Sequence, residues 1–155
     1  MADVQHLSQA TFDRLTEEHL RLSTVERIEI ARKIQSAREL GDLSENGDYH
    51  AAREEQGKME ARIRHLEAVL ENAEIVEASE TDEVRPGVIV SICYEGDEEP
   101  ERYLIGSIEE RSDDVETLTV GSPLGQALLG AKVDDVVGFE APGGVLNVRI
   151  VKIEV

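Results

Sequence analysis

The sequence predicts an α+β protein in which an N-terminal antiparallel helical hairpin, a coiled coil, precedes a small antiparallel β domain with one short helix. Apolar residues recur at steps of three and four from about Ser8 to Ala73, which is the pattern of an amphipathic helix. A turn rich in glycine, acidic and polar residues interrupts this pattern at residues 41–46. After Pro86-Gly87 the apolar period changes to two, which indicates strands.

The helical half divides into two arms that meet at this turn. An apolar seam that begins just beyond a short turn needs a partner helix, and the arm before the turn supplies one. The seam residues of the second arm are Tyr49, Ala52, Gln56, Met59, Ile63, Leu66, Leu70 and Ala73. Those of the first arm are Leu15, Leu22, Val25, Ile30, Ile34 and Ala37. We therefore predict a hairpin domain over residues 1–76 with its tip at residues 41–46.

The first arm carries two local signals. The hydroxyl of Ser8 or of Thr11 is suited to cap the start of the first helix. Further along, Ile28 falls off the register that joins Leu22 to Ile30. Coiled coils adjust their winding at such positions, so we predict a bend or stutter near residues 23–28.

The β half begins after a charged segment, residues 77–86, that we interpret as a linker. We predict strands over residues 88–93, 103–108, 116–120, 136–139 and 145–155. Turns are expected at Glu95-Gly96-Asp97 and at Pro142-Gly143-Gly144. One short helix interrupts the strands, with Ser122 as its cap, Pro123 in its first turn and Gly130 at its end. Residues 87–155 form the predicted second domain.

The composition restricts the classes of partner. The chain of 155 residues has a formal net charge of -18, and phosphate neutralisation needs a basic stripe, so we expect no affinity for free nucleic acid. A gain in solubility is an alternative explanation of this charge. The single Cys93 lies in an apolar alternating run, where we expect a buried thiol in a reducing compartment. We see no signal peptide or membrane span, and we expect a cytoplasmic protein.

No phosphate-binding glycine loop or metal-spaced cysteine pair is present, so the sequence predicts no self-contained catalytic site. Asp42 and Glu45 at the tip are the exception. Their carboxylate oxygens suit Mg²⁺, which accepts one or two carboxylates and shares its remaining positions with water and phosphates. Two exposed carboxylates bind Mg²⁺ weakly by themselves, but they would complete a site that already holds a metal and a phosphodiester.

A structural interpretation of the same residues also stands. Residues 42–45 have the form of a capping box for the second helix, with Asp42 as the cap and Glu45 reaching back. Arg38 and Arg53 flank the tip. They are suited either to pair with Glu39, Glu54 or Glu55 along the helices or to contact a backbone phosphate near the tip acids.

These residues carry a family resemblance. The tip segments, residues 37–46 and 49–56, closely resemble the tip of the bacterial GreA/GreB family of transcript cleavage factors. The resemblance continues at residues 122–130, 135–137 and 142–144, which look like the C-terminal domain of the same family. It covers nearly the whole chain in order. The β half lacks the more basic character of GreB, so the chain is more similar to the GreA branch.

The resemblance implies an FKBP-like fold for the C-terminal domain, which would dock on RNA polymerase at the rim of the secondary channel. The hairpin would reach toward the active centre, where Asp42 and Glu45 would help to hold a Mg²⁺ shared with the polymerase. The polymerase would then hydrolyse the backtracked nascent RNA near its 3′ end. Arg38 and Arg53 correspond to residues beside the RNA, and Ser122-Pro123 to an element associated with polymerase docking. We expect a monomer with no stably bound metal and no membrane association.

Three departures from the family pattern concern the arms and the tip. Ser44 stands where a lysine is common, Gly47-Asp48 replaces Ala-Glu, and the stretch from Arg27 to Ile30 lacks a proline often found there. Both tip acids are kept. Two other functions remain open. One is a Gre-like regulator that occupies the channel without stimulating cleavage. The other is an FKBP-like prolyl isomerase or chaperone, for which the β half lacks an aromatic-lined pocket.

Overall fold

The computed structural model describes residues 4–42, 46–77, 81–112 and 114–155 of the chain. The described residues form two compact units. One, the hairpin unit, consists of Phe12–Asn72, and the other, the β unit, combines Val4–Thr11 with Ala73–Val155. No helix in these ranges has the length and apolar character of a membrane-spanning segment.

The hairpin unit contains two helical arms, as the sequence predicts. The first arm consists of α1 (Gln9–Arg21), a π-helical turn (Leu22–Glu26) and α2 (Arg27–Arg38). The second arm is α3 (Gly47–Glu71). The buried residues between the arms are Leu15, Leu22, Ile30, Ile34, Ala37, Ala52, Ile63, Leu66 and Val69. The predicted seam is therefore confirmed over most of its length.

The π-helical turn explains where the seam departs from the prediction. Leu22 and Ile30 are eight residues apart, and in a straight α-helix this spacing would turn Ile30 about 80° away from the face of Leu22. The π turn adds a residue to one turn of helix and brings both side chains to the partner arm. Val25, predicted in the seam, is 53% exposed because it lies within this wider turn. The expected irregularity near residues 23–28 is thus confirmed.

Hydroxyl groups satisfy the backbone at the π turn. The carbonyl oxygen of Leu20 accepts hydrogen bonds from the Thr24 hydroxyl at 2.6 Å and from the Ser23 hydroxyl at 3.4 Å. A π turn disturbs the regular ladder of helical hydrogen bonds, so its carbonyls need other donors. Serine and threonine at these positions therefore make the local change of winding tolerable.

Ion pairs along the exposed edges connect the two arms. Arg27 donates two hydrogen bonds of 2.9 Å to the carboxylate of Glu60, and Arg62 binds Glu18 in the same two-pronged manner at 3.0 Å. The other cross-arm pairs are Lys33 with Glu55 at 2.8 Å and His19 with Glu67 at 3.1 Å. Each exposed pair contributes little stability, but together they favour one register of the antiparallel arms.

The β unit is built on a five-stranded sheet with the order β5-β4-β3-β7-β6. Its strands are β3 (Ile89–Tyr94), β4 (Glu101–Gly106), β5 (Glu116–Thr119), β6 (Val136–Ala141) and β7 (Gly144–Glu154). Five strands are found as predicted, and the turn at Pro142-Gly143 is confirmed. The strand predicted over residues 103–108 is shifted, since β4 begins at Glu101 and ends at Gly106. The sheet is mixed rather than wholly antiparallel, since β4 and β5 run parallel.

Two short strands lie outside this sheet. β1 (Gln5–Leu7) pairs in parallel with β2 (Ala73–Ile75), and both belong to the β unit. Ala73, predicted as the last seam residue, is therefore in a strand, and Val69 rather than the half-buried Leu70 is the last enclosed residue of α3. Neighbouring positions on a helix point about 100° apart, so a small rotation decides which one is enclosed.

One carboxylate of the β unit fixes the start of α1. Glu110 accepts hydrogen bonds from the backbone N–H of Ser8 at 2.6 Å and from the hydroxyls of Ser8 and Thr11 at 3.1 and 2.9 Å. The Ser8 hydroxyl in turn accepts the N–H of Thr11 at 3.2 Å, which confirms the predicted cap. Anionic acceptors are favoured at a helix start because the first amides lack partners within the helix.

The core of the β unit lies between the sheet and α4 (Pro123–Leu128). Its buried residues are Val84, Val88, Val90, Ile92, Ile105, Leu124, Leu128, Ala131, Val148 and Ile150. Branched aliphatic side chains fill this core because the chain is poor in aromatic residues. The FKBP-like comparison remains a prediction.

Candidate functional site at the hairpin tip

The first arm ends in a tightened turn just before the tip. The N–H of Leu40 donates to the carbonyl of Ala37 at 3.2 Å, and the N–H of Gly41 donates to that of Arg38 at 3.4 Å. Gly41 then adopts a φ of +130°, a region in which side chains are strained and glycine is favoured. The chain therefore leaves α2 at Gly41, and Asp42 is the next residue.

Asp42 is exposed at this position. Glu45, the second predicted tip acid, and Ser44 lie outside the described residues, so their predicted roles stay predictions. Asp42 nevertheless lies where the sequence places it, on the loop that joins the two arms and beyond the buried seam.

Asn46 caps the second arm. It has an extended backbone, with φ of −91° and ψ of 96°, and its side-chain Oδ1 accepts the N–H of Tyr49 at 3.0 Å. The prediction that Asp42 caps this helix is therefore wrong. A capping residue directly precedes the first helical residue, and here α3 begins at Gly47. The available signal was Asn46 itself, since asparagine is among the preferred caps.

The side chain of Asn46 has a second partner on the other arm. Its Nδ2 donates to the backbone carbonyl of Ala37, in the last turn of α2. One amide group thus satisfies a free N–H at the start of α3 and a carbonyl near the end of α2. It joins the two ends of the loop that carries Asp42.

The two arginines beside the tip have definite neighbours. The guanidinium of Arg38 lies 5.7 Å from the centre of the Tyr49 ring, within the range of a cation–π contact. Arg53 donates to the side-chain oxygen of Gln56 at 2.9 Å. Both arginines are exposed, one on each arm. The predicted role beside RNA stays a prediction.

Two of the three acids that could pair with these arginines pair with lysines instead. Glu54 pairs with Lys58 at 3.5 Å, and Glu55 pairs with Lys33 of the opposite arm at 2.8 Å. The side chain of Glu39 accepts a hydrogen bond of 3.4 Å from Gln35. Lysines therefore pair with Glu54 and Glu55, glutamine contacts Glu39, and both arginines are exposed.

The donor chemistry of Asp42 suits a Mg²⁺ ion to which it would supply one carboxylate. Within the described ranges, no group of three or more histidine, cysteine, aspartate or glutamate residues is placed to hold a metal ion. Asp42 offers hard oxygen ligands, which Mg²⁺ prefers, but a single carboxylate leaves most of its six positions to others. The residue therefore fits a contribution to an ion that a partner also holds.

The predicted docking element of the β unit has the expected local structure. The Ser122 hydroxyl donates to the carbonyl of Thr119 at 2.8 Å and accepts the N–H of Gly125 at 3.0 Å, so it caps α4. Pro123 occupies the first turn and is exposed, and Gly130 ends the helix with a φ of +82°. The cap, the proline position and the stop are confirmed. A role in polymerase binding stays a prediction.

The β unit also contains a cavity of about 340 Å³ lined by Cys93, Tyr94, Glu95, Gly96, Asp97, Val136, Asn147, Val148 and Arg149. Cys93 was expected to be buried, but it is partly exposed because it lies opposite Arg149 on the outer face of the sheet. Tyr94 is the one aromatic residue in this lining. Such a lining lacks the aromatic walls that binding of a prolyl peptide would use.

Comparisons with known proteins agree over the full chain. Residues 5–75 match the family model described as "Transcription elongation factor, N-terminal", and residues 78–155 match the model described as "Transcription elongation factor, GreA/GreB, C-term". The two matches meet close to the end of the second arm.

Individual relatives give the same picture. The chain is 46% identical to the transcription elongation factor GreA of Streptomyces coelicolor, over 98% of this chain and 94% of that protein. It is 41% identical to the GreA of Thermotoga neapolitana, over 95% of each. Among solved structures, GreA factor homolog 1 (Gfh1) of Thermus thermophilus is 29% identical, over 99% of this chain and 100% of that one, with a TM-score of 0.45.

Proposed function

The chain belongs to the GreA/GreB family of transcription elongation factors, and on that premise we propose that it binds RNA polymerase at the secondary channel and stimulates the polymerase's own cleavage of backtracked RNA. Cleavage would release the 3′ end of the RNA and rescue arrested complexes. The observation that carries this proposal is the position of Asp42. It is exposed on the loop between two paired arms, four residues before the Asn46 cap of α3.

The two units would have separate tasks. The β unit would dock on the polymerase, with the exposed Pro123 and the capped turn at Ser122 in the contact. The hairpin would enter the channel. Its second arm, α3, has 25 residues and is therefore about 38 Å long. A pair of helices of this length is suited to enter a channel with its tip first.

At the tip, Asp42 and Glu45 would direct carboxylate oxygens toward a Mg²⁺ that the polymerase and the RNA also contact. A divalent ion held in this way polarises the phosphodiester and activates a water molecule. The residues of this chain would orient the shared ion and balance its charge. The catalyst remains the polymerase, so the protein itself is not an enzyme.

Arg38 and Arg53, on either side of this loop, would contact the RNA. Their exposed guanidinium groups are suited to bind phosphate oxygens of the RNA, because a guanidinium presents a planar fork of donors. The contact with Tyr49 holds Arg38 over the start of α3.

We place the action in the cytoplasm, and we propose that the free protein is a monomer that binds no Mg²⁺ stably.

The test is a cleavage assay on a purified, stalled and backtracked elongation complex with Mg²⁺, in which release of short 3′ RNA fragments is followed over time. Asp42→Asn or Glu45→Gln should reduce stimulation to the background of the polymerase and leave binding to the polymerase near normal. Glu17→Gln, at an exposed acid of α1, removes the same charge and should keep full stimulation. Fragment release by the wild type that does not exceed background would reject the proposal.

A substitution that weakens docking should change the cleavage kinetics in the opposite way to a substitution of a tip acid. Replacement of Pro123 by alanine should raise the concentration of factor needed for half-maximal cleavage and leave the maximal rate unchanged. A loss of maximal rate at unchanged half-saturation would contradict a docking role. If the wild-type protein binds the complex and slows transcription without releasing fragments, the alternative of a channel-occupying regulator is the correct one.

A further inference from the structure

The loop that carries Asp42 is closed at its base by contacts between the two arms. Asn46 accepts the N–H of Tyr49 at 3.0 Å through its Oδ1 and donates to the carbonyl of Ala37 through its Nδ2. Ala37 lies in the last turn of α2, and Tyr49 lies in the first turn of α3. The amide therefore spans the point at which the arms separate into the loop.

A second contact lies next to the first. The guanidinium of Arg38 is 5.7 Å from the centre of the Tyr49 ring. Tyr49 also packs against the buried cluster of Ile30, Ile34 and Ala52. The residues that close the loop are thus tied to the core of the hairpin, and we name Ala37, Arg38, Asn46 and Tyr49 the tip clamp.

We propose that Asn46 is a positioning residue, which holds the two ends of the acidic loop together so that Asp42 is presented in a preset arrangement. This inference rests on the proposed function. A loop with untied ends would have to lose its conformational freedom within the polymerase, and ordering each residue costs free energy. Geometry that is set beforehand accelerates the chemical step, so the benefit belongs to the maximal rate of cleavage rather than to docking.

The chemistry of the side chain is specific to this task. A carboxamide carries an acceptor and a donor on one planar group, and both are used here. An aspartate at the same position would still cap α3, because aspartate and asparagine are comparable caps. It would have no donor for the carbonyl of Ala37, and its negative charge would repel that oxygen. Asn46→Asp therefore keeps the cap, breaks the cross-arm bond and adds one negative charge.

The experiment compares wild type, Asn46→Asp and Asn46→Ser in the cleavage assay on the backtracked complex. Serine is also a good cap and is neutral, but it is too short to reach the opposite arm as the amide does. We expect both variants to keep their helix content by circular dichroism and their half-saturating concentration. Both should lose about tenfold to a hundredfold in the maximal cleavage rate, the range that small misplacement of reacting groups produces.

Each outcome has a definite meaning. Wild-type maximal rates in both variants would overturn the inference and leave the proposed function intact. A loss confined to Asn46→Asp would assign the effect to added charge and would also overturn it. Reduced helix content in either variant would show that the cross-arm bond stabilises the two arms rather than positions Asp42, and would overturn the inference as well. Failure of the wild type to stimulate cleavage would instead reject the proposed function itself.

Discussion

Gly125 shows how much depends on a single residue in the β unit. A Cβ atom built on Gly125 would lie 2.1 Å from the carbonyl oxygen of Thr119 and 2.9 Å from the hydroxyl oxygen of Ser122. The same hydroxyl and carbonyl form the hydrogen bonds that start α4. Since the nearest obstacle is backbone, it cannot move aside as the end of a flexible side chain would. Glycine is required here because a Cβ atom would not fit, and not because its φ lies in the left-handed region.

We predict that Gly125→Ala lowers the free energy of unfolding by about 1–3 kcal/mol, as overpacking of an interior typically does. It should also weaken binding to RNA polymerase, because the turn at Ser122-Pro123 would be displaced. The measurement is urea unfolding followed by circular dichroism. Gly121→Ala is the matched control, since a Cβ there meets nothing within 4 Å, and its effect should stay within about 0.5 kcal/mol. Equal stability of the two variants would contradict the close approach.

At the scale of elements, the pairing of the two arms is governed by winding and by charge. The π turn changes the phase of the first arm so that residues on both sides of it face α3. Beside this turn, the guanidinium of Arg27 binds the carboxylate of Glu60 with two hydrogen bonds of 2.9 Å. The hydrogen bond from Arg27 lowers the pKa of Glu60 below its ordinary value of 4.5. Burial opposes this change but does not reverse it.

This lowered pKa predicts how the stability of the hairpin depends on pH. A carboxyl group with a lower pKa in the folded chain stabilises the fold above its unfolded pKa, and this contribution is lost as the pH falls through the folded value. Glu60→Gln should therefore lower the melting temperature slightly at pH 7, and the gap to wild type should stay constant down to about 4.5 and close below it.

Thermal unfolding at a series of pH values measures this gap. Because Arg27 is exposed and Glu60 is partly exposed, the effect is small and should shrink further in high salt. Glu17→Gln controls for the loss of one negative charge. A gap that widens as the pH falls would show that the sign of the pKa change is wrong.

At the scale of the molecule, the distribution of charge separates docking from nucleic-acid binding. The chain has 16 basic and 34 acidic residues. Several basic groups of the hairpin are engaged by carboxylates, among them Arg21, Arg27, Lys33 and Arg62. A protein that is guided by contacts with another protein needs no basic stripe, and repulsion from free nucleic acid limits unproductive binding.

We predict that the free protein binds single-stranded RNA with a dissociation constant above about 10⁻⁴ M at physiological salt, weaker than ordinary non-specific binders. Fluorescence anisotropy of a labelled oligonucleotide measures this. Lowering the salt concentration should produce little gain, because few phosphates would be neutralised. Micromolar affinity with a steep salt dependence would show that the arms present a basic surface that the ion pairs do not suppress.

Features that depend on neighbouring residues were predictable from the amino-acid pattern. The helical period gave the two arms, the change of period located the strands, and serine, proline and glycine at fixed spacing placed α4. The position of Asp42 on the loop also followed from the pattern. The family resemblance rested on the same local motifs, and the comparisons confirmed it.

Tertiary structure decided what depends on distant partners. The partner of β1 is a strand close to the end of the second arm, and strands of three residues carry too little pattern to reveal their pairing. The parallel pairing of β4 with β5 depends on the path of a connection. At the tip, both Asp42 and Asn46 had the chemistry of a cap. Asn46 is the cap in the folded hairpin, where its amide also reaches the carbonyl of Ala37. Asp42 therefore lies on the loop before the cap.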